Sequence, residues 1–235
     1  MNNKGITAII LCGGRGERLR PLTNEIPKPL VKIKGRPILA YVLENLKKYK
    51  VEKIIIAAGY KYEEMREYFA DKSHGSEVEV FDTGDADIID RLKYCEEHID
   101  QDFMVLYGDT IVDININSLY EYHLSHSKAG TISIWPFKSQ YGLVEIDSLN
   151  NVLSFQEKPT LNKWINIGYF FFNKNIFSSM KRYDNFANFL EFLGESESLS
   201  AYKHLGSHIT VNTLEELNDA EKNIDRYMKE IYLNE

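Results

Sequence analysis

The amino-acid sequence predicts an α/β protein with a mixed, mostly parallel sheet flanked by helices. Three observations carry that expectation. Apolar runs of strand length alternate with helix-period segments through the first half, the pattern of successive βαβ units. The second half strings four strand-like segments together with little helix between them, which points to an antiparallel addition to the same sheet. A chain of 235 residues, 43% of them hydrophobic, suffices for one substantial core and is short for two, so residues 1–235 are expected to form a single domain.

In chain order, Thr7–Cys12 (TAIILC) reads as the first strand. After a long loop, Ile38, Leu39, Val42, Leu43 and Leu46 recur at helical spacing, with Pro37 suited to the first turn. Strands are expected at 53–58, 78–81 and 103–107, separated by helices near 61–70 and 86–98. Strand-like segments then follow near 131–135, 142–146, 152–156 and 164–172. Helical patterns return near 174–193, a short strand ends near Val211, and a last helix starts at about 214. Thr213 and Glu216 have capping-box spacing at its start.

Composition narrows the function. No apolar run approaches the roughly 20 residues of a membrane span, and no leader pattern opens the chain; a soluble, cytoplasmic protein without membrane association is expected. Cys12 and Cys95 lack paired spacing and read as free structural thiols. The net charge of −7 argues against nucleic-acid binding, yet residues 1–36 hold eight Lys/Arg against two Asp/Glu. That cationic front end is either a solvated basic loop or a site for an anionic small substrate.

The front end also carries a distinctive loop: Gly13-Gly14-Arg15-Gly16-Glu17-Arg18-Leu19-Arg20-Pro21-Leu22-Thr23, followed by Pro27-Lys28-Pro29. Glycines let backbone N–H groups approach phosphate oxygens closely, and the basic residues neutralise polyphosphate charge. Neither the dinucleotide pattern G-x-G-x-x-G ahead of a helix nor a Walker loop is present. Downstream, Met104-Val105-Leu106-Tyr107-Gly108-Asp109 places a carboxylate at the carboxyl end of a predicted strand, where open α/β sheets bind ligands; Asp109 there is either a turn cap or a ligand-binding group.

The run L-C-G-G-R-G-E-R-L-R-P-L-T-N-E-I-P-K-P-L closely resembles the signature of the sugar nucleotidyltransferases, with Cys12 where that family commonly has alanine. The resemblance implies a Rossmann-like nucleotide-diphospho-sugar transferase fold and a chemistry in which a nucleoside monophosphate passes from an NTP to a phosphorylated acceptor. It further implies that Arg18 holds the departing pyrophosphate, that Lys28 contacts the α-phosphate, and that backbone of Leu11, Cys12, Gly13 and Gly14 faces the nucleotide, with Arg15 and Gly16 in the same loop. Tyr107-Gly108-Asp109 also matches, making Gly108 a nucleotide neighbour and Asp109 a ligand of Mg2+, the implied cofactor. For the second metal ligand the family frequently has Asp, whereas this chain has Asn212. The segment Val-Asn-Thr-Leu-Glu-Glu-Leu-Asn-Asp-Ala-Glu resembles the N-acetylglucosamine-1-phosphate uridylyltransferases, in which Asn takes that role; Mg2+ accepts amide oxygens.

Such chemistry needs no catalytic base, because a phosphomonoester is largely dianionic near pH 7. The absence of a Ser/His/Asp or Cys/His constellation agrees with this, and His123 and His126 on a predicted helix read as surface or packing residues. Tyr107-Gly108-Asp109 does not supply the Asp-x-Asp metal motif expected of a glycosyltransferase on the same fold.

Phe81-Asp82-Thr83-Gly84-Asp85, Arg91-Leu92-Lys93, Tyr141-Gly142-Leu143-Val144-Glu145, Phe155-Gln156-Glu157-Lys158-Pro159 and Trp164-Ile165-Asn166 keep the order and spacing of the glucose-1-phosphate cytidylyltransferase branch. That makes CTP the expected donor, with Thr83 and Arg91 near the base, and Gly142, Glu157, Lys158 and Asn166 around the acceptor. Relatives follow the asparagine with two small residues, whereas this chain reads Asn166-Ile167-Gly168. A branched side chain there either fills the space of a sugar ring or points into the sheet. The first alternative favours a non-sugar acceptor, as in the CTP:phosphoglutamine cytidylyltransferases that the sequence also resembles, whose acceptor is L-glutamine phosphate and whose product is CDP-L-glutamine for capsular polysaccharide modification. Family habit implies a homo-oligomer.

Overall fold

The computed structural model describes residues 5–70 and 76–233, with side chains described through residue 229. After β1 (Thr7–Cys12), three single 3-10 turns carry the chain through residues 17–30 to a minimal hairpin, β2 (Lys32–Ile33) and β3 (Arg36–Pro37), and to helix α1 (Ile38–Lys48). Two further strand–helix pairs follow: β4 (Lys53–Ala58) with α2 (Tyr62–Ala70), and β5 (Glu77–Asp82) with α3 (Ile88–Tyr94). The chain continues through β6 (Phe103–Tyr107), β7 (Thr110–Val112), α4 (Ile116–Leu124), β8 (Gly130–Lys138), β9 (Leu143–Ile146), β10 (Val152–Gln156) and β11 (Thr160–Phe172). It ends with α5 (Phe177–Met180), α6 (Phe186–Glu195), β12 (Leu199–Lys203), β13 (His208–Thr210) and α7 (Leu214–Leu233).

Seven strands form the main sheet in the order β12-β8-β11-β6-β1-β4-β5. β6, β1, β4 and β5 are mutually parallel, β11 runs antiparallel to both β6 and β8, and β12 is parallel to β8. The expected mixed, mostly parallel sheet is therefore present.

Continuous apolar strands belong to a sheet covered on both faces, and their side chains still alternate. Ala8, Ile10, Ile54, Ile56, Met104 and Leu106 face one core, closed by Leu39, Val42, Leu43 and Leu46 of α1 and by Ile224 and Tyr227 of α7. Ile9, Ile55, Phe103, Val105, Phe170 and Phe172 face the other, closed by Ile89 and Leu92 of α3 and by Phe177, Phe186 and Phe189. The starts of three helices are fixed by short polar side chains that accept from first-turn N–H groups: Asp87 for α3, Asn115 for α4 and Asn185 for α6.

Several details refine or depart from the sequence expectation. The helical patterns near 174–193 form two helices, Phe177–Met180 and Phe186–Glu195, and Asn185 starts the second by accepting from Ala187 and Asn188. The helix expected at 86–98 ends at Tyr94, with only a 3-10 turn at 96–98 beyond it. β9 and β10 pair solely with each other and stand apart from the main sheet instead of joining it. β12, unexpected from the sequence, forms the sheet's edge. His123 is a packing residue as expected: it is buried, and its Nδ1 lies 2.9 Å from Thr131 Oγ1. No helix among the described residues is long and apolar enough to cross a membrane.

Candidate active site

β1 and β6 are parallel neighbours with Leu11 opposite Tyr107, so the loops leaving their carboxyl ends, Gly13-Gly14 and Gly108-Asp109, emerge side by side. Gly108 N donates to Leu11 O at 3.1 Å, and a Cβ on Gly108 would stand 2.5 Å from the Cys12 sulfur; only glycine permits this approach. The Cys12 thiol itself is buried in the core, where desolvation raises its pKa, so only the backbone of this residue is available to a ligand.

A cavity of about 370 Å³ opens between the two loops and α3, lined by the expected Leu11, Gly13, Gly14, Arg91 and Asp109. Ala86, Asp87, Ile88 and Tyr107 line it as well, and the sequence reading did not single them out as site residues. Arg91 is nearly fully buried beneath the glycine loop. Its guanidinium donates to Ala58 O at 3.0 Å, to Gly13 O at 3.2 Å and to Thr83 Oγ1, while Thr83 Oγ1 in turn donates to Ala58 O. Thr83 and Arg91 are thus one unit that braces the loop from behind. A Cβ on Gly13 would lie 1.9 Å from the guanidinium, which explains the glycine there. Arg91 has no ion-pair partner among the described residues, and burial lowers its pKa. A permanent cation held under the loop puts positive charge beside a cavity whose lining also carries the Asp87 and Asp109 carboxylates.

At the rim, Arg15 extends toward solvent, paired with Asp85 at 2.7 Å and lying over the Tyr60 ring. Gly16 adopts φ 60 and accepts from Thr23 Oγ1 through its carbonyl, which turns the chain toward Arg18.

Four of the expected site residues, far apart in sequence, meet beside the cavity. Lys28 Nζ donates to Asp109 Oδ2 at 2.5 Å and to Asn212 Oδ1 at 2.7 Å, and Arg18 Nη2 donates to the same Asn212 oxygen at 3.2 Å. The carboxylate is fixed further by Thr110 Oγ1, 3.1 Å from Asp109 Oδ1. Asn212 arrives because β13 pairs with β7, placing Thr210 opposite Thr110, the residue after Asp109. The segment then enters α7, where Glu216 N donates to Thr213 Oγ1 at 3.2 Å, as the capping spacing predicts. Glu216 Oε2 accepts from Asn212 N at 2.5 Å.

One carboxylate oxygen and one amide oxygen thus converge on a single cationic group. Such a donor pair, with room for phosphate oxygens, suits a hard cation such as Mg2+, which binds few protein oxygens and retains water or phosphate. No cluster of three or more His, Cys, Asp or Glu side chains gathers among the described residues, so a site closed by protein ligands alone does not form there.

The residues expected around the acceptor are less tightly assembled. Asn166 Oδ1 accepts from Gly168 N at 2.8 Å, which brings the asparagine to the Tyr107 side of the sheet. Gly168, at φ 73, lies so close to the Tyr107 ring that a Cβ would stand 2.3 Å from it. Glu157 lies against Gly142, where a Cβ would be 2.9 Å from its carboxylate, and Lys158 turns the chain at φ 43. Among the described residues, no hydrogen bond joins Gly142, Glu157 or Lys158 to the Lys28–Asp109–Asn212 cluster. Ile167 is 2% exposed and packs with Tyr169 in the core, on the sheet face away from Tyr107. Of the two directions open to it, the side chain takes the one into the sheet.

A family model described as nucleotidyl transferase matches residues 7–202. The chain is 36% identical over 198 residues to a D-glycero-alpha-D-manno-heptose 1-phosphate guanylyltransferase of Campylobacter jejuni, covering 80% of this chain and 85% of that protein. It is 29% identical over 242 residues to a probable glucose-1-phosphate cytidylyltransferase of Bacillus subtilis, covering 92% and 94%. Among solved structures, HddC from Yersinia pseudotuberculosis complexed with GMP-PN aligns with a TM-score of 0.74 at 25% identity, over 93% of this chain and 99% of that one. The glycine loop, the paired strand ends and these matches agree: the chain is an enzyme of the nucleotidyl transferase family.

Proposed function

We propose that this enzyme transfers CMP from CTP to a phosphorylated small-molecule acceptor, with Mg2+ as cofactor and release of pyrophosphate. The observation that supports it most is the meeting of Lys28, Arg18, Asp109 and Asn212 beside the cavity behind Gly13 and Gly14. An acceptor phosphate oxygen bonds to the α-phosphorus of the nucleotide while the bond from that phosphorus to the oxygen bridging the β-phosphate breaks. The electron pair leaves with pyrophosphate, and no proton has to be removed from the nucleophile.

In this reading the backbone of residues 11–14 cradles the nucleotide, and Arg91 supports the loop and adds positive charge beneath it. Asp109 and Asn212 hold Mg2+, which when bound neutralises charge developing on the transferred and departing phosphates. Lys28 moves from those two oxygens to the α-phosphate, and Arg18, at the outer side of Asn212, receives the pyrophosphate.

CTP is favoured by the sequence resemblance through residues 81–93 and by the cytidylyltransferases among the relatives. A guanylyl donor is the second reading, motivated by the heptose 1-phosphate guanylyltransferases. For the acceptor, the inward Ile167 removes the steric reason for excluding a sugar ring, so a sugar 1-phosphate at Gly142, Glu157, Lys158 and Asn166 comes first and L-glutamine phosphate second. The test crosses four NTPs with glucose 1-phosphate, heptose 1-phosphate and L-glutamine phosphate and measures pyrophosphate release. Release with CTP and one of these acceptors is expected, while release with GTP alone overturns the donor assignment, and silence throughout overturns the transfer reading.

The β9–β10 hairpin exposes Val144, Ile146, Val152, Leu153 and Phe155, more apolar surface than a two-stranded ribbon can cover by itself. This supports assembly into a homo-oligomer. Sedimentation equilibrium is expected to return at least twice the chain mass of 27.3 kDa, and a monomer at micromolar concentration rules it out.

A further inference from the structure

The geometry points to Glu216 as a positioning residue that sets the metal-facing amide of Asn212 through the peptide N–H of that same residue. In a standard capping box the third helical residue returns its carboxylate to the N–H of the cap residue. Here the cap is Thr213, whose hydroxyl accepts from Glu216 N at 3.2 Å, but the Glu216 carboxylate passes over Thr213 and accepts from Asn212 N at 2.5 Å. The bond is therefore made to the residue that carries the site oxygen.

Asn212 is held on both sides. Val211 before it is fully buried in the core, and Glu216 after it fixes the peptide N–H, so the residue's backbone has little freedom when Oδ1 meets Lys28 at 2.7 Å and Arg18 at 3.2 Å. A neutral amide is a weaker cation ligand than the carboxylate at Asp109, and its contribution depends more on being aimed correctly. The Glu216 carboxylate supplies that aim through a charge-assisted hydrogen bond. It also places a negative charge against the backbone N–H of the neutral ligand's own residue.

The inference rests on reading Asn212 as a site residue, and four variants separate the two. They are Asn212→Ala, Glu216→Ala, Glu216→Gln and Thr213→Ala, with the double variant Asn212→Ala/Glu216→Ala. Each is assayed for pyrophosphate release, for the Mg2+ concentration giving half-maximal rate, for calorimetric binding of Mg·CTP without acceptor, and for melting temperature.

Glu216→Ala is expected to lower kcat/KM by about 10- to 100-fold, the range seen when an outer partner of a metal ligand is removed, and to raise the half-maximal Mg2+ concentration and the Kd for Mg·CTP. Glu216→Gln retains an oxygen acceptor and is expected to stay within about threefold of the parent protein, the cost of exchanging a charged for a neutral hydrogen bond. Thr213→Ala removes the cap alone, so it lowers the melting temperature while leaving kcat/KM and Mg·CTP binding unchanged. The double variant is expected to be no worse than Asn212→Ala, since both act through one oxygen.

If Asn212→Ala is impaired but Glu216→Ala matches Thr213→Ala, Glu216 is only a helix cap and the inference fails while the site reading stands. Additive loss in the double variant overturns it as well. If Asn212→Ala is itself fully active, the reading of Asn212 fails and the role of Glu216 falls with it.

Discussion

Asp109→Asn is expected to lower kcat by about 10³-fold or more with little change in melting temperature. The Asp109 carboxylate pairs with Lys28 where that ammonium also meets the Asn212 amide, and its side chain is 30% exposed at a strand end rather than packed in the core. Asparagine keeps the shape and the contact with Thr110 Oγ1, so local structure survives. What disappears is the charge that draws a divalent cation and balances the Lys28 ammonium; the variant leaves that ammonium facing two neutral amides. Single-turnover pyrophosphate release at saturating Mg2+, with a thermal melt beside it, checks both halves. Activity within tenfold of the parent protein would remove Asp109 from the site.

Phe170→Ala is expected to cost roughly 3–5 kcal/mol of stability, the usual range for truncating a fully buried phenylalanine. Phe170 sits where β11 joins β6 and β8, with ring centroids 6.0 Å from Tyr107, 5.7 Å from Phe172 and 5.6 Å from Phe186. The cavity left behind would be walled by aromatic rings and strand backbone, neither of which collapses readily. Urea unfolding reports the loss as a lower midpoint with an unchanged slope. Because Tyr107 is a wall of the cavity as well as a neighbour of this ring, the Kd for the nucleotide substrate is expected to rise, at temperatures where the variant is still folded, if the cavity is the nucleotide site proposed above.

Much of the fold was legible because the central strands are long, apolar and separated by helices with clear periodicity. What escaped was set by partners distant in sequence. β12 is a half-buried edge strand, Leu-Ser-Ala-Tyr-Lys, without strict alternation, and it becomes a strand because β8 lies next to it. Phe177 and Met180, and then Phe186, Phe189 and Leu193, each have helical spacing, but the six-residue step from Met180 to Phe186 does not continue one face, and the two sets belong to two helices. Segments 142–146 and 152–156 are strands, as their composition suggests, but pairing preference alone does not tell a free hairpin from a sheet extension.

At the site, Arg18, Lys28, Asp109 and Asn212 were singled out by the resemblance of their motifs to the sugar nucleotidyltransferases, and their side chains meet. The direction of Ile167 was not readable, since it depends on the irregular register between β8 and β11 at residues 166–170. Nor was the bracing of the glycine loop by Arg91, which requires Gly13, Ala58 and Thr83 to come together from three strand ends. The helix-capping spacing marked Glu216, yet which N–H its carboxylate takes is a matter of three-dimensional path.

The ammonium of Lys28 resting between Asp109 and Asn212 has a consequence for how substrates arrive. A free divalent ion must compete with a tethered cation that is already in place, whereas a nucleotide bringing its own ion offers the lysine a new counter-charge as it departs. In the proposed reading, loading is an exchange of one positive charge for another at the same two oxygens, and the Asp109 carboxylate is not left without a counter-charge. The metal and the triphosphate are accordingly expected to enter as a pair.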